Sequence, residues 1–145
     1  MKAKNEDRAP YLVPVANADL KPFIGVVQLA TMRHYARGEE KEWFIARMVE
    51  LAALIHAMPK TYEQDGAGLN AVAHLHYFTA GGDWYITEKD SDPDGEGQIQ
   101  AFGSANLGYG AELGYISIKE LIEHGAELDL HFKPATLATI TKAAA

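Results

Sequence analysis

His74-Leu75-His76 sets two imidazoles two residues apart, and Asp129-Leu130-His131 repeats that spacing with a carboxylate and an imidazole. On an extended strand alternate side chains share a face, so each pair projects to one side, about 7 Å apart at Cα for a rise of about 3.3 Å per residue. Two ligands of one ion can sit at that spacing. If the two strands are neighbours, three imidazoles and a carboxylate converge in a set that suits zinc, iron or manganese, and its chemistry would be activation of a bound water. Histidines two apart are also ordinary hydrogen-bonded residues of a strand. No cofactor is therefore expected, with a divalent ion on His74, His76, Asp129 and His131 as the alternative.

The other chemical signals are incomplete. Asp90-Ser91-Asp92-Pro93-Asp94-Gly95 begins like a calcium loop, but its fourth position is Pro93 and its twelfth, which needs a bidentate Glu, is Ala101. It reads instead as an acidic turn formed by Asp90, Asp92 and Asp94, able to attract a basic partner. Gly103, Gly108, Gly110 and Gly114 precede no Lys-Ser or Lys-Thr and no long helix, so they make no phosphate cradle. Neither Ser104 nor Ser117 lies in a G-x-S-x-G turn. Glu88 falls on the inward parity near a strand end.

These residues need a scaffold. Residues 1–16 read as an extended or mobile arm, with Pro10 and Pro14 opposing helix. A helix pair follows over 17–58. Asp19 suits an N-cap, and Phe23, Val26, Val27, Ala30 and His34 follow helical spacing up to Gly38. Phe44, Met48, Leu51, Ile55 and Met58 then step by four and three until Pro59. The pair either packs on the sheet or meets a second copy, which would make a homodimer. The sheet region spans 71–134, with strands expected at 71–79, 83–89, 98–102, 113–116 and 127–132. Gly81-Gly82 signals a tight hairpin. Ser117 and Glu120 form a capping box for a short helix before the last strand, ended by Gly125. Residues 103–114 read as a glycine-rich connection, and the C-terminus as a frayed helix. The expected fold is one α+β domain over 1–145: an antiparallel sheet of about five strands packed on an N-terminal helix pair.

Alternation sorts the strand residues by face. Ala73, Leu75, Tyr77, Trp84, Ile86, Ile99, Ala101, Ile116, Leu128, Leu130 and Phe132 form the expected core parity. The other parity carries His74, His76, Tyr85, Thr87, Lys89, Gln98, Gln100, Phe102, Tyr115, Asp129 and His131. From it we take His74, His76, Tyr85, Gln98, Gln100, Tyr115, Asp129 and His131 as a candidate binding face, since Tyr and His amid few charges suit a partner or a planar ligand.

Composition narrows the classes. The 145 residues include no cysteine, which excludes disulfides, thiolate metal sites and a cysteine nucleophile. A net charge of −7 argues against direct binding of nucleic acid. The polar, proline-broken N-terminus lacks a signal-peptide core, and no run of about 18 apolar residues could span a membrane. Cytoplasmic localisation is expected.

The phrases HLHYFTAGGDWYITEKD, QAFG, ELGYISIKEL and ELDLHFKPATL resemble an uncharacterised bacterial family, domain-of-unknown-function family 2958. The resemblance covers Val72 to Leu137 and is strongest at Trp84, Thr87, Glu88, Phe102-Gly103, Glu112-Leu113-Gly114-Tyr115 and Asp129-Leu130-His131-Phe132 with Pro134. Leu128 stands where that family often has a basic residue, and the two N-terminal helices lie outside its pattern. The resemblance implies an origin on a plasmid, integrative element or phage, and transfers no catalytic residues. The expected function is that of a non-enzymatic accessory protein of a mobile element. It would bind a protein partner through the His/Tyr/Gln face or the acidic turn, in one version inhibiting a host defence or nucleic-acid-handling enzyme. A metal-dependent enzyme and a small-molecule sensor are the alternatives.

Overall fold

The structure, a computed structural model, describes residues 19–91 and 98–144. The arm expected at 1–16 lies outside them. The chain divides into two compact units, Met1–Ala57 and Met58–Ala145.

The first unit holds helices α1 (Val26–Tyr35) and α2 (Lys41–Ala57), joined through the turn around Gly38. Tyr35 and Phe44 stack across that turn with ring centroids 5.2 Å apart. The α2 stripe is as expected: Met48, Leu51 and Ile55 are buried, together with Ala52. The α1 stripe is not. Asp19 already lies within a helical turn, and α1 begins after Gly25, whose extended backbone serves as its N-cap. Leu29, Met32 and Ala36 are buried, whereas Val26 and Val27 are 85% and 80% exposed. Two apolar stripes fit one 3.6-residue period here, and spacing does not say which of them turns inward.

The second unit is built on an antiparallel sheet of β2 (Leu75–Thr79), β3 (Gly82–Glu88), β4 (Ala101–Asn106), β5 (Ala111–Ile116) and β6 (Glu127–Leu128), in the order β5-β4-β3-β2-β6. The expected α+β class and five-stranded sheet are present, with the short helix α3 (Ile118–Glu123) between β5 and β6. Ser117 caps α3 by accepting the Glu120 amide at 3.1 Å. Gly125, at φ +87°, follows its end, a conformation that favours glycine.

Several strand limits differ from expectation. The segment 71–79 is not one strand. β1 (Val72–Ala73) pairs with β7 (Ala135–Thr136) in a separate small sheet, and the chain breaks at His74 before β2. Residues 98–100 are bent and β4 runs on through Gly103 to Asn106. Gly103 is there for a close backbone approach, not a turn: a Cβ on it would lie 1.9 Å from the Tyr85 carbonyl oxygen. The last expected strand stops at Leu128 because Asp129 caps a turn, its Oδ1 accepting the His131 amide at 2.9 Å.

One sheet face carries Leu75, Tyr77, Ile86, Ala101, Ile116 and Leu128, all buried as expected. Ile99, at 45% exposure, does not join them. The other face is partly covered by the unit's own chain. Ala71, Ala73 and Leu137 form a small core there, packed with Ala67, Tyr85, Phe132 and Ile140. Leu137 opens helix α4 (Leu137–Ala144). Ala73 and Phe132 therefore leave the core parity assigned to them, because both lie beyond the points where regular alternation ends.

Candidate functional site

Alternation also fails at Thr87, and the site depends on that failure. Across β3 and β4, Ile86 opposes Gly103 but Glu88 opposes Phe102, leaving Thr87 as the extra residue of a β-bulge. One inserted residue moves Glu88 from the inward parity to the face of Phe102 and Tyr115, which oppose each other across β4 and β5. The Thr87 carbonyl freed by the bulge is taken by the Gln64 side-chain amide at 2.8 Å. The same amide group reaches Val72 in both directions: Nε2 donates to the Val72 carbonyl at 3.1 Å, and Oε1 accepts its amide at 2.9 Å. Gln64 thus staples the loop after Pro59 to the sheet. Thr61 adds a second staple, its hydroxyl 3.0 Å from the Lys89 carbonyl and 2.8 Å from that of Gln100.

Between the loop and the sheet lies a cavity of about 380 Å³. Thr61, Thr87 and Glu88 are its buried polar residues, and Thr87 and Glu88 are the deepest at 1% and 3% exposed. Phe102, Leu113, Ala71 and Leu137 supply apolar wall, and Asp65 a further acid. Tyr62 and Tyr115, 65% and 57% exposed, join hydroxyls over 2.6 Å. Tyr115 also meets Phe102 edge to face, with centroids 5.7 Å apart. The hydrogen bond with Tyr62 raises the Tyr115 pKa above its usual 10, with smaller contributions from desolvation and from Tyr62, Asp65 and Glu88 charge. Tyr62 holds φ +81°, uncommon for a residue with a Cβ and a form of strain that collects at functional positions.

A second cluster surrounds His76. Strands β2 and β6 are neighbours, so Asp129 does reach His76: Nδ1 is 3.0 Å from Asp129 Oδ2, and Nε2 is 2.8 Å from Asp83 Oδ1. Tyr85 stacks on the imidazole with centroids 4.4 Å apart and planes 8° apart, and Phe132 lies 5.7 Å away. Burial followed by the charges of Asp83 and Asp129 raises the Tyr85 pKa. Both ring nitrogens of His76 are thus engaged by carboxylates. His74 sits in the break before β2, its amide bonded to the Ile86 carbonyl and its pKa lowered by burial. His131 is exposed on the turn after β6. Among the described residues no group of three or more His, Cys, Asp or Glu is placed to hold a metal ion.

The candidate binding face is therefore not one continuous surface. His76, Tyr85 and Asp129 come together, with Asp83 as a partner that parity alone would not single out. Tyr115 belongs to the cavity instead. Gln98 and Gln100 brace the base of the turn: Gln98 Oε1 accepts the Asp90 amide at 2.6 Å, and Asp90 Oδ2 accepts the Gln100 amide at 3.0 Å. Asp90 is buried, 8% exposed, so its carboxylate serves the backbone and is not part of an exposed acidic turn. Asp92 and Asp94 lie outside the described residues, as does most of the calcium-like segment. Glu88, Tyr62, Gln64 and Thr61 were not singled out as site residues; the inserted residue in β3 and the loop that folds back leave no periodic trace.

The charge is unevenly divided. The unit Met58–Ala145 has thirteen acids against five lysines and no arginine, a formal charge of −8 that exceeds the −7 of the whole chain. Among the described residues no helix is long and apolar enough to cross a membrane. Fold and site together define an α+β protein with an acidic, cavity-bearing antiparallel sheet. No family model, curated protein or solved structure matches the chain.

Proposed function

We propose that this protein is a non-enzymatic accessory factor that acts by binding a basic protein partner through the β5 side of its acidic sheet unit. The observation that carries this reading is the state of β5. Among the described residues it pairs with β4 alone, and it presents Leu113 and Tyr115 at 48% and 57% exposure. An exposed edge strand of six residues is a template for an added strand, and native proteins normally blunt or cover such edges. The −8 charge of the unit would steer a basic partner toward it.

The likeness to domain-of-unknown-function family 2958 supports an origin on a mobile element, where inhibition of a host defence or nucleic-acid-handling enzyme is a role for an acidic binding protein. Five of the residues that carry this likeness, Thr87, Glu88, Phe102, Leu113 and Tyr115, line the cavity beside β5. A metal-dependent enzyme draws less support, since both His76 nitrogens already face carboxylates.

Affinity capture from host lysate tests the proposal, with the wild-type chain and a Leu113→Glu variant compared at about 0.05 M and about 0.5 M salt. The wild type should retain basic polypeptides at low salt, release most of them at high salt, and lose them in the variant. Retention of the same polypeptides by Leu113→Glu would sink the β5 surface.

A further inference from the structure

Glu88 is a buried acid, 3% exposed, with no countercharge bonded to it among the described residues. Its carboxylate meets two neutral donors at long distance, the Gln64 backbone N–H 3.3 Å from Oε1 and the Thr87 hydroxyl 3.4 Å from Oε2. Among the described residues no Lys, Arg or His forms an ion pair with it. Removing a carboxylate from water is costly unless an opposite charge and hydrogen bonds replace the hydration. The residue nonetheless lines an open cavity of about 380 Å³, a volume in the range of small-ligand sites.

The rest of the lining narrows what would enter. Phe102, Tyr115 and Tyr62 surround the approach with aromatic rings, which attract cations through their faces. Leu113, Ala71 and Leu137 offer apolar contact for an aliphatic stem. An anion would meet Glu88 and Asp65, and a neutral apolar ligand would leave Glu88 without a better partner. We propose that the Glu88 cavity is a binding site for an alkyl guanidinium or alkyl ammonium group, its charged head on the Glu88 carboxylate and its stem against Leu113 and Leu137. Two sources carry this chemistry: an arginine or lysine side chain of a polypeptide, and a free small amine. The chemistry of the cavity stands on its own geometry, and only the first source rests on the partner-binding reading.

The test uses the full chain, with agmatine, a Gly-Gly-Arg-Gly-Gly peptide and the neutral control N-butylurea as probes. Binding is read from the ring resonances of Tyr62, Phe102 and Tyr115. The proposal expects saturable shifts with a dissociation constant on the order of 1 mM for at least one cation. Affinity should fall by about tenfold or more in Glu88→Gln, and by about threefold in Tyr115→Leu, which sits at an exposed position and leaves the carboxylate in place. Tighter binding of the peptide assigns the cavity to a polypeptide side chain, and tighter binding of agmatine to a free amine. If neither cation shifts these rings, or if N-butylurea binds equally well, the site is overturned. If Glu88→Gln unfolds, as circular dichroism would show, Tyr115→Leu and the urea control still decide. Loss of captured partners with agmatine binding intact would count against the partner reading alone. Failure of agmatine and peptide with capture intact would count against the cavity alone.

Discussion

His74 and His76 are two residues apart in sequence and do different work. His76 has a carboxylate on each ring nitrogen and Tyr85 on its face, which makes it a tie between β2, β3 and the turn after β6. His74 lies in the strand break, and burial lowers its pKa from the usual 6.5. The unfolded chain therefore binds a proton at His74 more readily than the folded one does. The stability tied to this residue is fully present above about pH 6.5 and is lost as the pH falls through the lower folded value. Urea midpoints measured near pH 7.5 and near pH 5 should show the wild type losing stability on acidification and His74→Gln losing less. Equal losses in the two chains would show that His74 does not titrate differently on folding.

At the scale of elements, the site is made by a bulge and a loop. Gly103 lies opposite Ile86 where β3 and β4 close up beside the bulge. A methyl group there would have to displace the Tyr85 backbone, since its carbonyl oxygen would be only 1.9 Å away. Gly103→Ala should cost about 3 kcal/mol, read as a lower denaturation midpoint with an unchanged slope. A cost below about 0.5 kcal/mol would mean that the two strands separate freely. Gln64→Ala tests the loop. It removes three hydrogen bonds to the backbone of Val72 and Thr87 and should cost about 2 kcal/mol, a fall of roughly 6 °C in melting temperature. The loop should also lose hydrogen-exchange protection at the Val72 amide before the rest of the sheet does. Unchanged protection there would show that other contacts hold the loop.

For the whole molecule, the tyrosines set the alkaline limit. Tyr77 is fully buried, and desolvation raises its pKa strongly; Tyr85 is raised by burial and then by Asp83 and Asp129. Unfolded tyrosine ionises near 10. The folded chain keeps those protons longer, so this contribution is complete below about pH 10 and disappears as the pH climbs through the folded values. Absorbance of tyrosinate followed against pH should show part of the ionisation arriving late and together with loss of circular dichroism. Smooth ionisation of all tyrosines near pH 10 in a chain that stays folded would contradict this. The same scale carries the charge asymmetry: Met58–Ala145 is poor in basic residues and holds the net negative charge, while the remainder of the chain has a formal charge of +1, from eight basic against seven acidic residues.

Where the chain is periodic, its sequence determines the outcome by itself. The α2 stripe at Met48, Leu51 and Ile55, the Ser117 cap, the turn at Gly125 and the inward set Leu75, Tyr77, Ile86 and Leu128 follow from 3.6-residue and two-residue spacing and from capping chemistry. The hairpin between β2 and β3 lies where Gly81-Gly82 signals it, but its two linking residues are Ala80 and Gly81, and Gly82, already in β3, pairs with Thr79. The adjacency of β2 and β6, which joins His76 to Asp129, was open in the sequence, because strand order is a long-range matter. The cavity was hidden for a different reason. A single inserted residue at Thr87 reverses the facing of Glu88, and Gln64, far along the chain, accepts the consequence by bonding the freed carbonyl. Local spacing determines which way a side chain points while the strand stays regular; only tertiary pairing decides where regularity stops, and the buried acid lies at that point.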